Sequence, residues 1–150
     1  MSKIQPIQPS LQALDLARQV LRIEGEAVLA LAGRINGAFL QALALILNCH
    51  GRVIVSGIGK SGHIGRKIAA TLASTGTPAF FVHPAEASHG DLGMITAEDV
   101  VIGISNSGES AELLNIVPSI KRQGARLIAM TGNENSTLSR DADVHLDAGV

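Results

Sequence analysis

Six consecutive residues, Ser105-Asn106-Ser107-Gly108-Glu109-Ser110, set three hydroxyls and an amide around a glycine, between a β-branched run and a helix-forming one. A dianionic phosphate offers several acceptor oxygens, and such a set beside the free N–H groups of a helix start suits it well. Helix capping by Ser107 or Ser110 accounts for one serine but poorly for three. A nucleoside triphosphate would need Mg²⁺ ligands, and none is obvious nearby. A second small-residue turn, Ser56-Gly57-Ile58-Gly59-Lys60-Ser61-Gly62, matches G-x-G-x-x-G at Gly57, Gly59 and Gly62. A dinucleotide site also wants an acidic residue about 20 positions on, at the tip of the next strand. That tip reads Phe81-Val82-His83, without an acid. A P-loop needs a glycine where Ile54 stands, so that reading fails too. What survives is an anion-binding turn, against the alternative of a tight strand–helix turn with no ligand. The candidate binding set is Gly59, Ser61, Ser105, Asn106, Ser107 and Ser110, of which Ser61, Ser105, Ser107 and Ser110 should converge on a site about one phosphate wide.

Such turns need elements to aim them. From Arg52 onward short β-branched runs alternate with helix-like segments. The reading is strands at 53–55, 79–82, 100–104, 127–130 and 144–146. Helices are expected at about 63–74 and 111–123, with a short one reaching 141. Residues 83–93 and 131–136 read as loops, and Gly76 and Gly124 suit helix ends. Strands followed by helices imply right-handed crossovers, hence an α/β fold: a five-stranded parallel sheet with helices on both faces, a three-layer sandwich. Ligands of such sheets lie at the carboxyl ends of the strands, which is where these turns fall. Ahead of the sheet, residues 1–9 read as a flexible tail. Two helices follow, one carrying Leu11, Leu14, Ala17, Leu21, Val28 and Leu31 with Ser10 as its N-cap, the other spanning 38–47. Their apolar content exceeds one stripe. It implies either packing against another subunit, as a dimer or larger homo-oligomer, or a helix buried in this domain.

Composition narrows the partners. The 150 residues are 46% hydrophobic but only 2% aromatic, and the formal net charge is −1. A core of Leu, Ile, Val and Ala follows. Without stacking platforms or a basic patch, nucleic acid is an unfavoured partner. The lone Cys49 excludes an internal disulfide framework and reads as a small buried residue. No stretch resembles a signal peptide or a membrane span, so a soluble cytoplasmic protein with no membrane partner is the default.

The serine loop resembles the S-x-S-G-x-[ST] phosphate loop of the sugar isomerase (SIS) domain. Gly57-Ile58-Gly59-Lys60-Ser61-Gly62-His63, Phe81-Val82-His83-Pro84 and His89-Gly90-Asp91-Leu92-Gly93 narrow the resemblance to bacterial D-arabinose 5-phosphate isomerases of the Kdo-biosynthesis type. The resemblance runs from about the second helix to Val150. It implies interconversion of D-ribulose 5-phosphate and D-arabinose 5-phosphate, supply of the Kdo sugar of lipopolysaccharide, and a homotetramer. It also implies the rest of the SIS fold beyond Val150, including a histidine in a His-Pro-Gly-Gly stretch, and then a pair of CBS domains.

Roles follow from the implied reaction, in which a proton moves between C1 and C2 through an enediol. It needs a carboxylate base, an acid/base for oxygen protons and positive charge for the oxyanion, with no metal or other cofactor. Glu109 and Glu112 are the candidate bases, read as sharing the first turn of one helix, and chemistry alone does not choose between them. The resemblance favours Glu112 and leaves Glu109 to complement the helix dipole. His89 is the candidate acid/base, and Lys60 the cation for enediolate or phosphate. His83, His89 and Asp91 fit no common metal-ligand spacing. His50 and His145 read as structural or exposed, and His63 as a rim residue. A non-catalytic sugar-phosphate sensor is the second reading. It would need the serine loops but not the Lys60–His89–Glu112 set.

Overall fold

A computed structural model of the chain describes residues 11–87 and 90–149. The expected flexible tail and the Ser10 cap lie outside the described residues. The chain divides into two compact units, Met1–Arg34 and Ile35–Val150. In the first, helix α1 (Leu11–Leu31) is followed by a 3₁₀ turn (Ala32–Arg34), and no residue of α1 is buried.

The second unit opens with α2 (Gly37–Leu47), whose N-cap Asn36 accepts the Ala38 N–H at 2.8 Å. Then β1 (Val53–Gly57), α3 (Gly59–Ser74), β2 (Ala79–Val82), β3 (Val100–Ile104), β4 (Arg126–Thr131) and β5 (Val144–Asp147) build the alternating pattern. A four-residue helix α4 (Pro84–Ala87) follows β2, α5 (Ala111–Gln123) follows β3, and α6 (Thr137–Asp141) follows β4. All neighbouring strands pair in parallel, in the order β2-β1-β3-β4-β5. This is the parallel α/β architecture that the alternation implies.

Two apolar layers show why continuous β-branched strands were required. Ile54, Val101, Leu127 and Ala129 face one side, against Leu113, Ile116, Val117 and Ile120 of α5 and Leu138 of α6. Val53, Val55, Ile102, Ile128 and Val144 face the other, against Ala42 of α2 and Ala69 of α3. A parallel sheet covered on both faces has no solvated side, so period-2 polarity disappears.

Three readings of the sequence change. Helix α3 starts at Gly59, four residues before the expected start at 63, so Lys60 and Ser61 belong to its first turn. Glycines are weak helix formers, and the apolar period begins only at Ile64, which hid that turn. The stretch 83–93 contains α4 and a 3₁₀ turn (Asp91–Met94), both too short to show periodicity. Cys49 is half-buried, not enclosed, and donates its thiol hydrogen to the Glu98 carbonyl at 3.3 Å. No single helix among the described residues is long and apolar enough to cross a membrane.

Candidate active site

The strand order creates a crevice. From β1 the chain turns outward to β2, whereas from β3 it turns the opposite way to β4. The connections leaving the carboxyl ends of these two adjacent strands therefore diverge, and a doubly wound sheet binds its ligands in that gap. Register sets Gly57 beside Ile104, bringing the turns that follow to one edge of the sheet. Gly57 shows how close they come. A Cβ there would lie 3.0 Å from the Ile104 carbonyl oxygen and 3.2 Å from the Ser61 carbonyl carbon. The first and third loops thus leave from the ends of adjacent strands.

Both helices that begin at this gap start without a side-chain cap. The N-cap of α3 is Ile58, which has no oxygen to offer. The N-cap of α5 is Ser110, whose hydroxyl makes no capping bond. Instead Ser110 Oγ pairs with Ser105 Oγ at 2.8 Å. By contrast, α2 and α6 are capped by Asn36 and Ser136. Uncapped first turns leave backbone donors and the positive end of the helix dipole turned toward solvent. Lys60, exposed on the first turn of α3, adds its own charge where an acidic residue would ordinarily complement the dipole. No acidic residue lies in that turn.

Within the third loop the serines divide their work. Ser105 is buried, and its hydroxyl accepts the Gly108 N–H at 3.1 Å while bonded to Ser110, so it braces the loop from inside. Ser107 is exposed and accepts the Glu109 N–H at 3.2 Å. Its hydroxyl therefore supports the turn and does not cap α5. Asn106 is exposed, and its carbonyl accepts the Gly132 N–H at 2.9 Å, leaving its side-chain amide beside that glycine. Gly108 takes φ +68°, and a Cβ there would lie 2.1 Å from Ser136 Oγ. Only glycine fits both the backbone and the space.

Helix α5 begins at Ala111, so the two candidate bases separate. Glu112 is exposed in its first turn, whereas Glu109 precedes the N-cap, and the shared turn read from the sequence does not exist. The Glu109 carboxylate accepts the Thr137 N–H at 2.7 Å, at the start of α6. Hydrogen bonding from Thr137, backbone foremost, with attraction from Arg140, holds its pKa below the usual value. It complements the dipole of α6, not that of its own helix. His89 lies outside the described residues. His83 is half-buried at the end of β2, with Nδ1 accepting the Ala85 N–H at 3.3 Å, so its proton sits on Nε2. His50 and His63 are exposed, and His145 is half-buried. The Thr131 hydroxyl donates to the Asn133 carbonyl at 2.8 Å, so His145 Nε2, 2.9 Å from Thr131 Oγ1, must be the donor in that pair. Among the described residues no three His, Cys, Asp or Glu side chains are placed to hold a metal ion.

Residues 46–150, the sheet and every helix from α3 on, match the SIS domain family. The chain belongs to the SIS domain family. Its relatives in that family include the arabinose 5-phosphate isomerase KdsD of Yersinia pestis, 57% identical over 96% of this chain and 44% of that protein. The protein of the same description from Pseudomonas aeruginosa is 56% identical over 94% of this chain and 43% of its own length. This SIS chain thus spans less than half the length of the curated relatives it matches. Among solved SIS structures, that of an E. coli protein in complex with arabinose 5-phosphate aligns with a TM-score of 0.89 at 43% identity. It covers 95% of this chain and 76% of that one. The sugar isomerase domain of an RpiR transcription factor from Sphaerobacter thermophilus shares the fold, at TM-score 0.78 and 21% identity.

Proposed function

We propose that the protein is a D-arabinose 5-phosphate isomerase, interconverting that aldose and D-ribulose 5-phosphate through an enediol, and that residues 1–150 carry its phosphate-binding and acid–base groups. The observation that carries this reading is 57% identity over 96% of the chain to a protein described as arabinose 5-phosphate isomerase. Two uncapped helix starts at the switch point support it from the side of the geometry.

Phosphate binding falls to the N–H groups opening α3 and α5, with Gly59, Ser61, Asn106, Ser107 and Ser110 lining the cradle and Ser105 bracing it. Glu112 removes a proton from C1 of the ketose and returns it to C2. Lys60 balances the charge of the enediolate, and His89 moves protons between O1 and O2. The proton given back equals the proton taken, so neither cofactor nor oxidant is needed. The same reading makes the protein a cytoplasmic homo-oligomer, a tetramer by resemblance, with the end of the SIS fold and a CBS pair following in the full-length chain. Its product would serve Kdo synthesis for lipopolysaccharide.

The test is turnover of ribulose 5-phosphate by the full-length protein, read as formation of the aldose. Ligand binding without turnover would replace the isomerase by a sugar-phosphate sensor. Absence of both would remove the sugar-phosphate reading.

A further inference from the structure

Glu109 is the most conspicuous polar group of the site that the proposed chemistry does not use. It lies inside the phosphate loop in sequence, but its carboxylate is engaged with Thr137, 28 residues further on. The contact is one of four along the same side of the loop. Ser105 N–H donates to the Met130 carbonyl at 3.1 Å, Gly132 N–H to the Asn106 carbonyl at 2.9 Å, and Leu138 N–H to the Gly108 carbonyl at 3.1 Å. The Glu109–Thr137 bond at 2.7 Å closes the row. The first three are backbone bonds that any sequence could make. The fourth is the only one of the row made by a side chain.

What it grips is itself a braced element. Ser136 caps α6 through Ser139 N–H at 3.3 Å, and Arg140 reaches the Asn135 carbonyl and, at 3.1 Å, Thr137 Oγ1. Lys121 of α5 lies 3.9 Å from Asp141 at the far end of α6. Leu138 is buried among the residues of α5. The loop is thus held between β3, from which it leaves, and a short helix fixed to the next layer.

We infer that Glu109 is a positioning residue: its carboxylate latches the 105–110 loop to the first turn of α6 and so fixes the loop's N–H groups and hydroxyls in the geometry that a phosphate needs. The inference rests on the phosphate-binding reading of that loop and goes beyond it, because it removes Glu109 from the acid–base chemistry and gives α6 a part in affinity. A preorganised anion site loses affinity when its donors must be ordered on binding. The latch therefore acts on binding, and the step at C1 and C2 belongs to other groups. The same contacts, hydrogen bonding from Thr137 first and attraction from Arg140, hold the Glu109 pKa below its usual value.

The experiment uses the full-length protein and two readouts, steady-state kinetics with ribulose 5-phosphate and calorimetric binding of inorganic phosphate. Glu109→Ala should raise KM and weaken phosphate binding by about tenfold each, with kcat within about twofold of the parent. Glu109→Gln keeps an acceptor oxygen and should restore both values most of the way. Thr137→Pro deletes the donor at a helix position that tolerates proline, behind an extended Ser136, and should reproduce the alanine phenotype. The Glu109→Ala/Thr137→Pro double variant should be no worse than either single one, because both break one bond. Unchanged KM and phosphate affinity in Glu109→Ala would overturn the latch, as would a loss confined to kcat or fully additive losses in the double variant. If the parent protein does not turn over ribulose 5-phosphate, the isomerase reading falls, and the latch is still judged by the phosphate affinities alone.

Discussion

At the scale of single residues, the two glutamates make opposite demands on a mutation. Glu112 is exposed on the first turn of α5, with no bond that ties its carboxylate elsewhere among the described residues. Glu112→Gln keeps size and hydrogen bonding but removes the carboxylate proposed as the base, so on that proposal kcat for ribulose 5-phosphate should fall by about 10²–10⁴ while KM changes little. If turnover survives in Glu112→Gln and is lost in Glu109→Gln, the assignment of the base is reversed. Asp99 is a residue of another kind, buried just before β3 at the opposite edge of the sheet. Its carboxylate accepts Arg52 N–H at 2.7 Å, Thr96 N–H at 2.8 Å and Thr96 Oγ at 3.2 Å, and pairs with the Arg52 guanidinium at 3.4 Å. Burial pushes its pKa up, but the bonds from Thr96 and Arg52 outweigh that and bring it below its ordinary value of 3.8. A carboxylate with a depressed folded pKa contributes stability that is present above its unfolded pKa and lost as pH falls through the folded one. The urea midpoint should therefore lose Asp99's contribution only below about pH 4. Asp99→Ala should lower stability by about 2–3 kcal/mol at neutral pH, since it strands two backbone donors. A midpoint unchanged by Asp99→Ala would show that water replaces the carboxylate at no cost.

At the scale of elements, the loop between β3 and α5 is shaped by Gly108, where positive φ and the Ser136 contact coincide. Gly108→Ala must both strain the backbone and displace the cap of α6, so affinity for the proposed sugar-phosphate ligand should fall by at least about tenfold, more than in any single serine-to-alanine change in the loop. Equal affinity in Gly108→Ala would mean that the loop reshapes freely around its ligand. Elements of this kind were unequally legible. Strands 79–82 and 100–104 and the helix 111–123 follow directly from β-branched runs, a 3.6-residue period and the stop at Gly124, because local preference and burial agree there. The first turn of α3 was hidden because its residues, Gly59, Lys60 and Ser61, are small or polar and uncapped. The features that suit such a turn to an anion are the ones that remove the usual signals of a helix start. The serine loop was visible as chemistry, but its division of labour was not. That Asn106 meets Gly132, and that Glu109 reaches α6, depend on partners supplied by the segment after β4. No spacing within six residues encodes such contacts.

At the scale of the whole molecule, the helices ahead of the sheet carry apolar surface that these residues do not themselves cover. Helix α1 exposes Leu11, Leu16, Leu21 and Leu29, each more than 60% accessible. Apart from the exposed Gln41, helix α2 is apolar on both its sheet side and its outer side. Ala38, Ala42, Leu45 and Ile46 pack toward the sheet, whereas Phe39, Leu40, Leu43 and Leu47 point away with 40–74% of their surface exposed. A helix apolar on both sides belongs in an interior, and exposed apolar residues of this kind suit an association surface. A second copy of the chain is the proposed cover, and the full-length protein should then run at a mass of at least two subunits in light scattering at micromolar concentration. Leu40→Glu combined with Leu43→Glu buries two carboxylates without partners in such an interface and should shift the mass to a smaller species, leaving the sheet's own unfolding transition in place. A segment of the same chain lying over α2 would give a different pattern: the double variant would lower the melting temperature and leave the mass alone. A parent protein that is monomeric at these concentrations would exclude the second copy as the cover.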